Sequence, residues 1–448
     1  MPPLFALTAC SAFVIFLLRL EHWRSPNVSK ALWIPAIWFT YTSSKALGVW
    51  FKTGRGMELG SPLDRVFLII LLCICLVILS RRKFNWAKAI KKNPWPILII
   101  FYMLISVIWS GMPAISFRRW IREIIAIPIA FVVLSEKDPR LALQSIFRRA
   151  IYVLIPFSIV LIKYFPEFGR TYNRWSGEVQ WDGVAYQKNG LTLLCVFSII
   201  FFVWTFIQSR EKKEQAAAKY MGYLDILLLL LSLYLLGGPR HTLKYSVSSS
   251  LSLIIGLLTL AGFLWGKKRG KIIRAASIKI IMIIIIIYGT ITPFLGKLAI
   301  FDISSYFGRD KTLTGRTDGV WAVLIPYALR KPILGHGFGS FWTTSMRELT
   351  SSDAHNGYLD AILNLGILGL ILIAFYLFSC FSKAIKFMAS EFYWGTLFIC
   401  YLIMVLIHNI AESPIHGFTG ILSAVILFFY IVTNRIGEIA KEETSVSG

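Results

Sequence analysis

VFLIILLCICLVILS, residues 66–80, holds no charged side chain, and Arg81, Arg82 and Lys83 follow it at once. A helix needs about 20 predominantly apolar residues to cross the hydrocarbon core of a bilayer. Working outward from residues 66–80, such segments recur along the whole chain. Of its 448 residues 56% are hydrophobic and only 16% charged, and the mean hydropathy of +0.66 is far above that of soluble domains. The fold class expected is an all-α, polytopic transmembrane bundle.

Spans are expected near 3–18, 32–48, 66–80, 95–110, 121–135, 150–164, 190–207, 223–237, 246–264, 277–294, 356–378, 393–411 and 416–432, roughly 12 to 14 in all. The two weakest lie near 32 and 121, where Lys45 and the Arg118, Arg119, Arg122 cluster sit at their ends. The first segment lacks a basic leader and a small-residue cleavage site, so it reads as a retained span. The corresponding organisation is a bundle over 1–294, a large loop with short helices over 295–355, final spans over 356–433, and a tail over 434–448.

The net charge of +24 would suggest nucleic acid as a partner of a soluble protein. Here most Lys and Arg fall in short loops between spans, which is a topology signal, and no nucleic-acid partner is expected. The loops with Arg81, Arg82, Lys83, Lys88, Lys91 and Lys92, and with Lys267, Lys268, Arg269, Lys271 and Arg274, are expected in the cytoplasm. The C-terminal tail joins them, and the alternate loops then lie outside. The six cysteines all lie in apolar runs and read as packed or lipid-facing thiols, with neither disulfide nor metal.

The outer loops hold most of the Gly, Trp, His and isolated Arg residues: 111–120, 165–189, 238–246, 295–355 and the turn around Glu412. Basic residues there oppose the usual topological bias. Arg118, Arg119, Arg240, Lys244, Lys188 and Arg316 therefore suit an anionic ligand, because guanidinium groups bind phosphate oxygens bidentately and stay charged when partly desolvated. Interfacial snorkelling to lipid head groups competes for about half of them.

The densest segment contains Gly315-Arg316-Thr317, then Gly335-His336-Gly337-Phe338-Gly339, then Asp353-Ala354-His355-Asn356-Gly357-Tyr358. The three spaced glycines permit a tight turn with close backbone approach to a ligand. They open no dinucleotide-binding unit, since no alternating strand pattern precedes them. His355, where the loop re-enters the membrane, has the side chain whose pKa lies nearest neutrality and could serve as general base toward a sugar hydroxyl. A merely capping or interfacial histidine is the competing reading. Glu412 lies at an outer helix end and needs a partner there, either as a structural ion pair or as an orienting group.

The order GRTxxxW (315–321), PILGHGFGSF (332–341) and AHNGYLDAILNLGILGL (354–370) resembles the O-antigen ligase and O-antigen polymerase superfamily of bacterial envelope proteins. Arg240, Lys188-Asn189, and Asn409 with Glu412-Ser413 are looser matches. The resemblance implies a multi-pass inner-membrane glycosyltransferase with a periplasmic active face, inverting, independent of metal and of any cofactor. Its donor would be a polyprenyl diphosphate-linked oligosaccharide. A glycan acceptor, membrane lipid and other polysaccharide assembly proteins would be its partners.

By the same resemblance Arg316 and His355 are catalytic, as diphosphate clamp and acceptor base. Arg240 or Lys244 supplies a second diphosphate contact, and Lys188, Asn189, Asn356 and Glu412 bind substrate; Arg118 and Arg119 are added as substrate-binding from their basic placement in an outer loop. Trp175, Trp181, Trp321 and Trp342 are available to stack on sugars. A repeat-unit polymerase is the favoured activity and a ligase onto lipid A core the alternative. A transporter or flippase would require ionisable groups in mid-span and discontinuous helices.

Overall fold

The computed structural model describes residues 1–54, 60–173, 177–211, 216–242, 245–270, 275–295, 316–351, 353–415 and 417–446. Among these, eight helices are long and apolar enough to cross a membrane. They are Pro3–Arg24, Pro62–Arg81, Pro139–Tyr164, Lys188–Glu211, Val247–Lys268, Ala275–Leu295, Gly357–Ser390 and Phe392–Ala411. Proline opens several of them, where its missing N–H is no loss. Side-chain caps fix others: Ser61 accepts from the Leu63 N–H and Asp138 from the Arg140 N–H, satisfying donors that the first turn leaves orphaned.

Several expected spans are shorter than the sequence suggests. The segment at 32–48 becomes Trp33–Thr42, and that at 121–135 becomes Ala126–Leu134. Pro94–Ile105 is likewise short. For Ala126–Leu134 the physical reason is burial: Ala126 through Val133 are almost wholly enclosed, so their apolarity serves helix packing rather than lipid. The Ile421–Val446 helix runs on past Asn434, where a separate tail was expected.

Phe39, Phe147, Phe197, Phe201 and Phe429 pack edge to face and tilted at the bundle centre. The Gly357–Ser390 helix lies beside Phe392–Ala411, Ile421–Val446, Pro94–Ile105 and Ala275–Leu295. Loop contacts gather at its two ends. Near its start, Gly357 N donates to Glu412 O and Asn189 reaches Glu412. Near its finish, Lys383 donates to Asn93 and to the Tyr430 carbonyl. These two groups of contacts thus lie at opposite ends of the Gly357–Ser390 helix.

Candidate active site

The site is built on an interruption in the Gly357–Ser390 helix. At Gly366, φ is 68° and ψ −171°, which breaks the ladder and frees backbone groups that lipid could not satisfy. The 331–339 loop supplies their partners. His336 N and Gly337 N donate to the Leu363 and Asn364 carbonyls at 2.9 Å, while Ile367 N donates to Pro332 O at 2.8 Å. The Tyr102 hydroxyl donates to Leu365 O.

This contact corrects the expected role of the glycines. A Cβ at Gly335 would lie 2.5 Å from Gly366 N, and one at Gly337 would lie 2.8 Å from Ser110 Cα. The close approach at these two glycines is to the protein's own backbone. His336 is held with them, its Nε2 3.1 Å from Tyr327 O, and burial pushes its imidazole pKa below the ordinary range.

The candidate residues gather around the first two helical turns after the loop. Asn356 caps the helix, accepting from Leu359 N at 2.9 Å and donating to Gly289 O and Ile410 O at 3.0 and 3.1 Å. Its side chain is fully buried. Asn356, expected to bind substrate, has its amide engaged in joining three helices. Gly357 is required beside it, because a Cβ there would meet Asn409 Oδ1 at 1.9 Å.

His355 adopts a left-handed backbone with φ 49°, uncommon for a residue with a side chain. Its N–H donates to Asp353 Oδ1 at 2.8 Å, and its ring Nδ1 lies 3.4 Å from both Asp353 Oδ1 and Glu412 Oε2. The other Glu412 oxygen accepts from Asn189 Nδ2 at 2.7 Å. The carboxylate is thereby held from two sides while the imidazole remains 20% exposed. This brings together three residues expected at the site, His355, Glu412 and Asn189, from three separate helix ends.

The Asp353, His355 and Glu412 ligand atoms lie within 4.8 Å of one another, a spacing that could also hold a cation. The sequence reading foresaw no such cluster. Its carboxylates come from positions 59 residues apart, on different segments, so no local acidic motif announces them.

Arg316 opens a π-helical turn, Arg316–Trp321; its side chain lies outside the described residues. The turn is tied to the histidine, since Trp321 Nε1 donates to Ala354 O at 2.9 Å. Arg240 ends a 3-10 turn and forms an exposed ion pair with Glu178. Lys188 Nζ lies 5.5 Å from the Tyr245 ring centre. Arg119 donates to the Gly339 carbonyl and so braces the 331–339 loop, whereas Arg118 donates to Ala114 O within its own helix, Pro113–Ile124, at an exposed position. Lys244, His416 and Trp175 lie outside the described residues.

The aromatic expectation also changes. Trp321, Trp342 and Trp181 are buried, Trp342 donating to Asp360 and Trp181 packing on Tyr234 and His241. They fill the fold where sugar platforms were expected, because each indole N–H or face already has an internal partner.

Asp360 is the residue that sequence reasoning missed. Buried at 2% exposure, it accepts from Trp342 Nε1 at 2.8 Å, from Ala354 N at 3.2 Å, and from the Ser413 hydroxyl. It links the loop, the residue before His355 and the turn after Glu412. Asn364, one turn on, accepts from Gly339 N and donates to Asp360 O. The available signal was two polar residues four apart inside an apolar run, which share one helix face and need partners in a membrane.

Residues 242–374 match the family model described as O-Antigen ligase. The chain is also 24% identical over 314 residues to the exopolysaccharide production protein ExoQ of Rhizobium meliloti (strain 1021), the match covering 66% of each chain. It thus spans just under two thirds of that relative's length. The match over 242–374 contains the helix break at Gly366, the glycine loop and His355, so this multi-pass membrane protein is similar to the O-antigen ligase family over its candidate site and to an exopolysaccharide production protein over most of its length.

Proposed function

We propose that the protein is a periplasmic-face inner-membrane glycosyltransferase that polymerises glycan repeat units carried on a polyprenyl diphosphate. The observation that carries this reading is the His355 imidazole, partly exposed and oriented by Glu412 within the family's matched region. In the proposed step the acceptor hydroxyl oxygen attacks the anomeric carbon from the face opposite the diphosphate. Its proton passes to His355 Nε2, since the Nδ1 edge faces the two carboxylates. The bond from anomeric carbon to phosphate oxygen breaks, its electron pair leaving with the diphosphate, and the configuration inverts.

Arg316 and Arg240 would neutralise the departing charge, a role that fixed guanidinium groups can fill without a metal. Glu412 fits an orienting role, holding the tautomer and stabilising the imidazolium. A transporter reading is less supported: the helix break is filled by the protein's own loop, and the buried charges at Arg148, Glu21 and Asp225 pair with one another.

Glycan profiling of a deletion strain tests the activity. A polymerase mutant keeps single repeat units on its acceptor, whereas a ligase mutant accumulates lipid-linked polymer. The carboxylate and histidine spacing favours one other reading, a metal-assisted transfer. Turnover of the purified protein on a polyprenyl diphosphate donor should survive EDTA; loss that magnesium or manganese restores would establish the metal route instead. For orientation, cysteines at Ser176 and Ser351 should react with an impermeant reagent in spheroplasts, and one at Ala216 should not.

A further inference from the structure

At the end of the bundle opposite His355 a cavity of about 1260 Å³ opens between the chain after the first helix, the 82–93 loop, the 134–141 turn and residues 431–435 within the last helix. Seven cations line it, Arg82, Lys83, Lys88, Lys92, Lys137, Arg140 and Arg435, against two carboxylates, Glu136 and Asp138. Both carboxylates are already matched. Arg82 pairs with Glu136 at 2.8 Å and also donates to Ser29 and Ser135, while Arg140 holds Asp138 at 3.1 Å and reaches Glu391. Arg435 donates to the Leu134 carbonyl.

These arginines build the cavity wall. The side chains of Lys83, Lys88 and Lys137 are exposed, and among the described residues no acid pairs with them. Lys83 is moreover held at φ 50° in the turn that ends the Pro62–Arg81 helix. Neutral groups Asn27, Asn85 and Asn434 complete the wall. Ordinary topological cations lie along loops facing water. Here the excess charge surrounds a concavity, which concentrates positive potential, and the volume far exceeds one small ion.

We propose that this cavity is a binding site for an anionic phosphate group, held by Lys83, Lys88 and Lys137 as mobile point charges. The group is either the head of an acidic phospholipid in the adjoining leaflet or a soluble phosphate compound. Basic pockets among helix ends recognise acidic head groups by this chemistry.

The test uses the purified full-length protein in detergent. Native mass spectrometry would count phosphatidylglycerol and phosphatidylcholine adducts, and a thermal shift with pyrophosphate would probe the soluble source. Wild type should favour phosphatidylglycerol or be stabilised by pyrophosphate, the responding arm naming the source. Lys83→Gln/Lys88→Gln/Lys137→Gln should weaken that binding by about tenfold or more. Lys268→Gln/Arg269→Gln/Lys386→Gln removes three cations outside the cavity wall and should leave it unchanged. Equal losses in both triple variants, or no response to either probe by wild type, would overturn the site. His355→Ala should bind normally at this cavity.

Discussion

Two turns carry candidate residues, and they are held in opposite ways. Both contain a histidine in left-handed backbone, His355 at φ 49° and His241 at φ 51°. Around His355, Asp360, Asn356, Trp321 and Glu412 fix almost every local polar group to a distant segment. Beside His241, Arg240 pairs with Glu178, and the two side chains are 71% and 52% accessible. An exposed pair contributes on the order of 0–1 kcal/mol, so an arriving diphosphate could replace Glu178 at little cost. A proton acceptor must be positioned in advance, whereas an anion clamp can exchange one anion for another.

The sharpest break of that contrast is at the base itself. His355→Ala should lower turnover by about 10² to 10⁴-fold with donor binding nearly intact, measured as single-turnover rate against donor affinity. Near wild-type transfer would make the histidine structural and pass the acceptor's activation to another group such as Glu412. Arg316→Lys should fail differently, keeping charge but losing the bidentate fork, with donor binding weakened along with rate.

One shell out, Asp360→Ala orphans three donors at once, each costing roughly 1–3 kcal/mol if left buried without a partner. Turnover and melting temperature should both fall, and Asp360→Asn, which keeps one acceptor oxygen, should recover part of each. An Asp360→Ala protein with unchanged activity would mean that the histidine turn is rigid without its buried carboxylate.

Gly337→Ala sharpens the loop half of the comparison. With φ at 94° and Ser110 Cα 2.8 Å from the added carbon, strain of about 1–3 kcal/mol should appear as a lower melting temperature. If the glycines instead served ligand approach, donor affinity would fall while stability held. The smallest effect belongs to the exposed turn: Glu178→Gln should change stability by well under about 1 kcal/mol and leave donor binding equal or slightly tighter, while Arg240→Gln should weaken it. A marked loss on Glu178→Gln would show that the pair orders the turn.

Much of the site was legible because its residues are dense in sequence. Residues 315–321, 332–341 and 354–370 stand out against an apolar background, and a histidine entering a span is visible without a structure. Asp360 and Asn364 were passed over because their partners, Trp342, Ser413 and Gly339, come from other segments. The tryptophans misled for a related reason: composition shows an aromatic in a loop, not whether its indole already has an internal acceptor.

Composition and hydropathy alone determined that the chain is a helical membrane protein, because lipid leaves the backbone no other way to satisfy its hydrogen bonds over repeated apolar segments. Charge placement alone separated the loops into two sets. Tertiary structure decided which apolar runs are long spans and which are short buried helices, since both bury the same side chains. It decided that GHGFG mends a broken helix, and that Glu412 faces His355 across 57 residues of chain. Those outcomes depend on which backbone groups lack partners and which distant segment can reach them, and a linear pattern holds no record of either.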